Sequence, residues 1–543
     1  MPKSLYIGFW IALGFVYLCG ATFIDVMDVD AAQYASIARE MQDSDNWTVV
    51  KHKHADYLDK PPLLFWLSAL FYKIFGINHF AYRLPSLLAT ALGLFAVYKL
   101  GSKLYDKKTG ELAALITGSC QAWILFNQDI RTDTMLSAFV IVAIWQLVVY
   151  MDNKKVLNFV FGFAAVGLAM LAKGPIGAVI PAFALSAYWL GKKEWRNFFR
   201  PEWLLGILIT LLVLSPMIYG LWLQFGSEGL YFFFWKQSFG RITGENSWSN
   251  QSGPLFFTHT FLWSFLPWAL LAVWAYGKRL LRFWNKGPDM ELLTVFGFLL
   301  PFIALSFSRY KLPHYIFPLY PLMAIITSKE LLSIVSDRSK IVYKAFFGIH
   351  LFLNIVIFTA AILLSAFVFP SSSPILWLLI LAGISAFVFF QFSKRLSESR
   401  LLGSTLIALL TLNLVMNIHF YPQLMQFQSG SQTAHFINKN KIPTLEVAVF
   451  GLHPNSLDFY IKDIAQVFTS PAELIRVVSA QPLWVYTNAE GKKLLEQSGA
   501  IIEKSYEFDH FHISKLSLKF VNPKTRTQVA QKAYLIRISG VMG

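Results

Sequence analysis

Charge is scarce in this sequence. Of 543 residues only 14% are Asp, Glu, Lys or Arg, against 55% hydrophobic and 16% aromatic. A soluble chain needs roughly 25% charged residues, so a soluble multi-domain protein is excluded. Cysteine is scarcer still. Cys19 and Cys120 both lie in apolar runs, which excludes a disulfide framework and a cysteine-based metal site. The residues before Cys19 read VYL, without the small residue of a lipidation site. No small-x-small cleavage signal follows the first apolar run, which is expected to stay uncleaved. There is also no P-loop, no glycine-rich dinucleotide turn and no convincing internal repeat.

What fills the chain is apolar runs of membrane-crossing length. Thirteen spans are expected, at 5–24, 81–100, 112–128, 134–151, 156–172, 175–190, 203–225, 255–275, 291–307, 313–327, 343–369, 374–392 and 401–420. With the N-terminus inside, the inner segments collect 22 of the 47 Lys and Arg residues, the outer segments before residue 421 collect 12, and the remainder of the chain 13. That asymmetry is the positive-inside pattern, and it puts the C-terminus outside. The net charge of +16 is therefore mostly a topology signal and calls for no nucleic-acid partner.

The expected organisation is a transmembrane catalytic domain over 1–420, with long outer loops at 25–80 and 226–254, followed by a soluble domain over 421–543. Long outer loops over short inner ones place function on the outer face. Within the first loop, Tyr34, Ile37, Ala38 and Met41 recur at helical spacing, as in an amphipathic helix on the membrane surface. The run LLFWLSALFYKIF at 63–75 reads as a second, interfacial or re-entrant helix, too short to span comfortably. After 421 the apolar runs shorten to strand length at 445–451, 463–468 and 482–488, and alternate with helical patterns at 470–480 and 489–499. This implies a small α/β domain.

Ionisable residues near membrane depth are costly and mark candidate sites. They gather at the outer ends of spans: Asp28 and Asp30, Asp56, Asp59 and Lys60, Arg83, Asp129, Arg131 and Asp133, Lys173, Lys236 and Arg241, Arg309 and Lys311. Asp30-Ala31-Ala32-Gln33 reads first as a near capping box and second as a general base. Asp28-Val29-Asp30 also spaces two oxygen ligands for a divalent metal. Lys60 reads as a snorkelling anchor or as a cation for a phosphate. Arg241 has the same two readings, with bidentate capacity added. Lys311 and Tyr315 share a proline-punctuated segment that reads as a kinked span end or as part of a phosphate site. Asp133 beside Arg131 also fits a surface ion pair. His52, His54 and His314 lack metal spacing and read as solvated loop residues.

The segments DAAQYASIAREM, YLDKPPLLFWLSALFYKIFGINHFAYRLPS, IRTDTMLSAF, LAKGP and SRYKLPHYIFPLYP together resemble the GT-C class of membrane glycosyltransferases. The likeness is to the aminoarabinose transferases of lipid A and their relatives in the protein O-mannosyltransferase superfamily, over roughly the first 325 residues. The resemblance implies a polytopic helical fold with a small outer α/β domain. It implies an inverting transfer of one sugar from a polyprenyl-phosphate donor to an acceptor such as lipid A. Asp30 would be the catalytic base and Asp133 a second catalytic acid. Lys60, Arg241, Lys311 and Tyr315 would serve the donor phosphate, and Tyr34, Tyr57, Asp59, Arg83 and Arg131 would complete the site. No cofactor is required; a divalent metal at Asp28 and Asp30 is the one possibility. The implied location is a bacterial inner membrane, with the site and the C-terminus on the periplasmic side. This chain departs from the family pattern at Ala31 and Gln33, where the family has Glu and Arg. A protein or surface-glycan acceptor keeps the same chemistry. A lipid-linked sugar flippase would instead place charges near mid-membrane.

Overall fold

A computed structural model describes residues 2–237, 240, 250, 252–285, 291–396, 399–453 and 455–541. The first span is α1 (Lys3–Phe23). The loop after it carries α2 (Asp30–Ser44), a short hairpin of β1 (Lys51–His52) and β2 (Ala55–Asp56), and α3 (Leu63–Phe75). Then come α4 (His79–Leu104), α5 (Lys107–Ser119), α6 (Gln121–Leu125), α7 (Thr132–Asn153), α8 (Val156–Lys173), α9 (Ile176–Lys192) and α10 (Glu202–Tyr231). Side chains start several of these: Asn78 accepts from the Ala81 amide at 2.8 Å and Asp106 from that of Thr109 at 2.9 Å.

Among the described residues nine helices are long and apolar enough to cross a membrane, and the chain is a multi-pass membrane protein. They account for nine of the thirteen expected spans. The run 112–128 is two helices, α5 and α6, meeting at Cys120. The run 255–275 is also two, Phe256–Ser264 and Ala269–Trp284, because Pro267 between them has no N–H to carry a helix. The runs 175–190 and 291–307 are single helices of 17 and 14 residues. Both are shorter than the roughly 20 residues of a straight crossing.

Two glycines shape the region that follows. Gly174, at φ +90°, ends α8 and turns the chain directly after Lys173. On α10, a Cβ at Gly220 would run into the Thr48 carbonyl, so only glycine lets this helix lie against the first loop. Gln224 then fixes the contact, accepting from the Val50 amide at 3.0 Å and donating to the Val50 carbonyl at 2.9 Å and to Asp56 at 2.8 Å.

The C-terminal part carries a five-stranded mixed sheet in the order β4-β3-β5-β7-β6. Its strands are β3 (Val447–Phe450), β4 (Gln466–Phe468), β5 (Leu483–Asn488), β6 (Ala500–His510) and β7 (Gln531–Val541). β3 pairs parallel with β4 and β5, while β7 pairs antiparallel with β5 and β6. Both faces are covered, one by Ala434, Ile437 and Leu457, the other by Leu474, Val478 and Leu495. The apolar face of α2 does not rest on a membrane surface. It packs against α3 and against the helix Asn455–Tyr460.

Candidate active site

Asp30 is the first residue of α2. Val29 stands at the N-cap and no side chain caps the helix. The near capping box read from the sequence is therefore not formed, and the Asp30 carboxylate accepts from Nη1 of Arg131 instead. Arg131 is the N-cap of α7, and its Nε and Nη2 also bond Asp129, at 3.1 and 2.8 Å. The Arg131 side chain is 14% exposed, whereas that of Asp30 is 42% exposed. One oxygen of Asp30 is thus held from behind while the carboxylate remains open to solvent.

Asp133, in the first turn of α7, is 2% exposed. It is no surface pair with Arg131. Its partner is Lys173 at 2.5 Å, and the His314 ring approaches it at 3.9 Å. The Lys173 ammonium also lies over the Tyr315 ring, 4.4 Å from its centre. Lys60 pairs with Asp59 at 2.6 Å. The Asp59 carbonyl accepts from Nε2 of the Gln237 side chain, and the second Asp59 carboxylate oxygen is buried with no hydrogen bond.

These side chains share one cavity of about 420 Å³. One wall is polar, built from Asp30, Gln33, Tyr34, Asp59, Lys60, Arg131, Asp133, Lys173 and His314. The other is apolar, built from Ile176, Val179 and Phe183 of α9 and from Pro301, Ala304 and Leu305. A charged headgroup with a long apolar tail fits such a lining. In its polar wall three carboxylates (Asp30, Asp59, Asp133) face three cations (Lys60, Arg131, Lys173).

Other expected site residues are placed elsewhere. Tyr57 stands behind the cavity, its ring 6.1 Å from Phe65, and burial raises its hydroxyl above the ordinary range. Arg83 is fully buried and donates to the carbonyls of Ile24, Asp25 and Gln128, bracing the end of α1. Lys311 is absent from the lining. Its ammonium donates to the Ser252 carbonyl at 2.9 Å, and its backbone pairs with the Asn250 side chain. Arg241 lies outside the described residues. Thr132 and Gln237 line the cavity without a signal in the sequence, since neutral side chains carry none; Gln33, read there as the end of a near capping box, lines it as well. His314, read as solvated, lines it too; its neighbour across the fold is Asp133, a contact no local spacing reveals.

Among the described residues no group of three or more His, Cys, Asp or Glu side chains is placed to hold a metal. Asp28 and Asp30 are engaged by different partners. Ser456 Oγ donates to Asp28 at 2.5 Å, while Asp30 meets the Arg131 cation. This donor set does not fit a divalent ion.

Burial pushes the Asp28 carboxyl up to about 7, and burial likewise raises Asp458 to about 6. Ser456, Lys53 and the Asp458 carboxylate face Asp28, and the Tyr486 hydroxyl lies close enough to feel its charge. Unfolded, Asp28 titrates near 3.9. The folded state therefore binds more protons than the unfolded state between about 4 and 7. Stability should fall as pH rises through that window and level off above it. Asp28→Asn should shrink the decline, with Asp458 leaving a remainder. Melting temperatures between pH 4 and 8 in detergent would show it, and an unchanged pH slope would refute it.

Residues 59–220 match the family model described as dolichyl-phosphate-mannose-protein mannosyltransferase. The chain is 26% identical over 357 residues to an undecaprenyl phosphate-alpha-4-amino-4-deoxy-L-arabinose arabinosyl transferase of Shewanella sediminis, covering 63% of this chain and 64% of that protein. It is 28% identical over 316 residues to the transferase of the same description from Pseudomonas paraeruginosa, covering 57% and 56%. The chain thus spans somewhat under two thirds of the length of these relatives. Among solved structures, ArnT from Cupriavidus metallidurans bound to undecaprenyl phosphate superposes with a TM-score of 0.75 at 17% identity, over 99% of this chain and 98% of that one. The apo form of that protein gives 0.73 over 98% and 97%. At such identity the likeness is one of fold: this chain has the GT-C fold, with a small sheet domain at its C-terminal end.

Proposed function

We propose that this chain, built on the GT-C fold, is an inverting glycosyltransferase that moves one sugar from a polyprenyl-phosphate donor to a lipid A-type acceptor. The observation that carries the reading is the two-sided cavity, with one wall for a phosphate and the other for an isoprenoid. The positive-inside pattern supports an active site and a C-terminal domain on the periplasmic side of a bacterial inner membrane.

The chemistry assigned to the side chains is one displacement. The acceptor hydroxyl oxygen bonds to the anomeric carbon as the bond from that carbon to the phosphate oxygen breaks. Asp30 takes the hydroxyl proton. Lys60 meets the negative charge that builds on the leaving phosphate. Arg131 orients the Asp30 carboxylate, and Asp133 with Lys173 fixes the geometry of the same polar wall. No metal takes part in this scheme.

Lys60→Ala should weaken polyprenyl-phosphate binding by about 1.5–3 kcal/mol, a charge-assisted contact. That is roughly a tenfold to hundredfold rise in Kd. Titration of the purified protein with polyprenyl phosphate measures it, and an unchanged Kd would return Lys60 to the role of an interfacial anchor. The acceptor is tested by mass spectrometry of envelope lipids and glycoproteins with and without the chain. A mass shift confined to glycoproteins would favour the second reading, a protein acceptor, which rests on the mannosyltransferase match over 59–220.

A further inference from the structure

The C-terminal sheet domain lines none of the described cavity, yet it grips the segment that carries Asp30. Two residues before Asp30, the Asp28 carboxylate accepts from Ser456 Oγ at 2.5 Å, at the start of the helix Asn455–Tyr460. Nine residues after Asp30, the buried Arg39 guanidinium donates to the carbonyls that end the same helix. It reaches Asp458 O at 2.8 Å and Phe459 O at 3.2 Å, and Ile461 O as well. Between these points Ser36 Oγ donates to Asn455 O at 3.2 Å. The approach to α2 is held in the same way: the Tyr460 hydroxyl accepts from the Val26 amide at 2.8 Å, and Gln428 bonds both the Val26 carbonyl and the Asp28 amide.

We propose that the C-terminal domain is a positioning element for the transfer reaction, with Asp28, Ser456 and Arg39 strapping α2 to both ends of the helix Asn455–Tyr460 so that Asp30 is held at a fixed angle to the cavity. The inference rests on Asp30 being the base. Arg131 holds that carboxylate from the membrane part of the chain, and the strap holds the flanking backbone from the C-terminal domain. With the Asp28–Ser456 bond cut, the start of α2 keeps Gln428 on the Asp28 amide and Arg131 on the Asp30 carboxylate, and the angle between them is less fixed. A displacement of about 1 Å at a reacting group is enough to lower a rate on the order of 10²-fold.

The test uses the full-length protein in lipid nanodiscs, with Asp28→Ala, Ser456→Ala and Asp28→Asn. The two alanine variants should lower kcat on the order of tenfold to a hundredfold, with the donor KM within about threefold of wild type. Combining them should cost little more than either alone, because they cut the same bond. Asp28→Asn should restore kcat, since an amide oxygen still accepts from Ser456. Hydrogen exchange across residues 25–44 gives a readout that needs no substrate: faster in the alanine variants, near wild type in Asp28→Asn. Unchanged kcat in the alanine variants, a raised donor KM at constant kcat, or unchanged exchange would each overturn the strap. Absence of sugar transfer by the wild-type protein would count against the transferase reading, and the exchange experiment would still decide whether the strap exists.

Discussion

Asp30→Asn is expected to lower turnover by roughly 10²–10⁴-fold, the usual contribution of a general base, while polyprenyl-phosphate affinity and melting temperature stay near wild type. Asp30 is the most exposed of the carboxylates in the cavity wall, and its recorded side-chain partner is Arg131. An asparagine oxygen can still accept from that guanidinium, so the fold and the donor site lose little. What the amide cannot do is take a proton from an attacking hydroxyl. Turnover measured beside the donor Kd separates the two roles, and near-normal turnover would remove Asp30 as the base.

Lys173→Met is expected to act on stability as well as on rate. Asp133 is almost fully buried, and after the change the basic side chain left beside it is the His314 ring at 3.9 Å. Leaving a buried carboxylate short of its counter-charge costs about 3–5 kcal/mol. Lys173 also covers the Tyr315 ring, so the substitution disturbs the cavity wall that Asp30 shares. The double variant Lys173→Met/Asp133→Leu should recover most of the lost stability without recovering activity. Unfolding of both variants in detergent checks this. A single variant as stable as wild type would show that the pair contributes little to the fold.

The elements were legible in the sequence wherever their signal is local. The helix at 63–75, the first three strands of the sheet and the helices Pro471–Val478 and Ala489–Gln497 were readable from periodicity and turn residues; the short helix Asn455–Tyr460 was not. The long antiparallel pair β6 and β7 was not, because its partners are far apart in sequence and half its residues face solvent. Nine spans were legible from apolar length; the other four apolar runs fold as short or broken helices, which hydropathy cannot separate from a crossing. At the site, charge near membrane depth pointed to Asp30, Lys60, Asp133 and Lys173. The same signal pointed to Arg83 and Lys311, which brace backbone carbonyls. Burying a cation marks a position as constrained, and only the fold shows whether a ligand or a carbonyl imposes the constraint.

The balance of three carboxylates and three cations in the cavity wall bears on the order of events in a reaction cycle. A phosphate entering this wall meets cations that already hold anions, so it competes with Asp59 for the Lys60 ammonium. On the proposed reading the donor is a phosphodiester with a single charge, whereas the spent carrier is a monoester with more. The spent carrier therefore competes for Lys60 better than fresh donor does. On that reading, product inhibition and a turnover paced by carrier departure more than by bond making are expected of a site that is electrically complete before its substrate arrives.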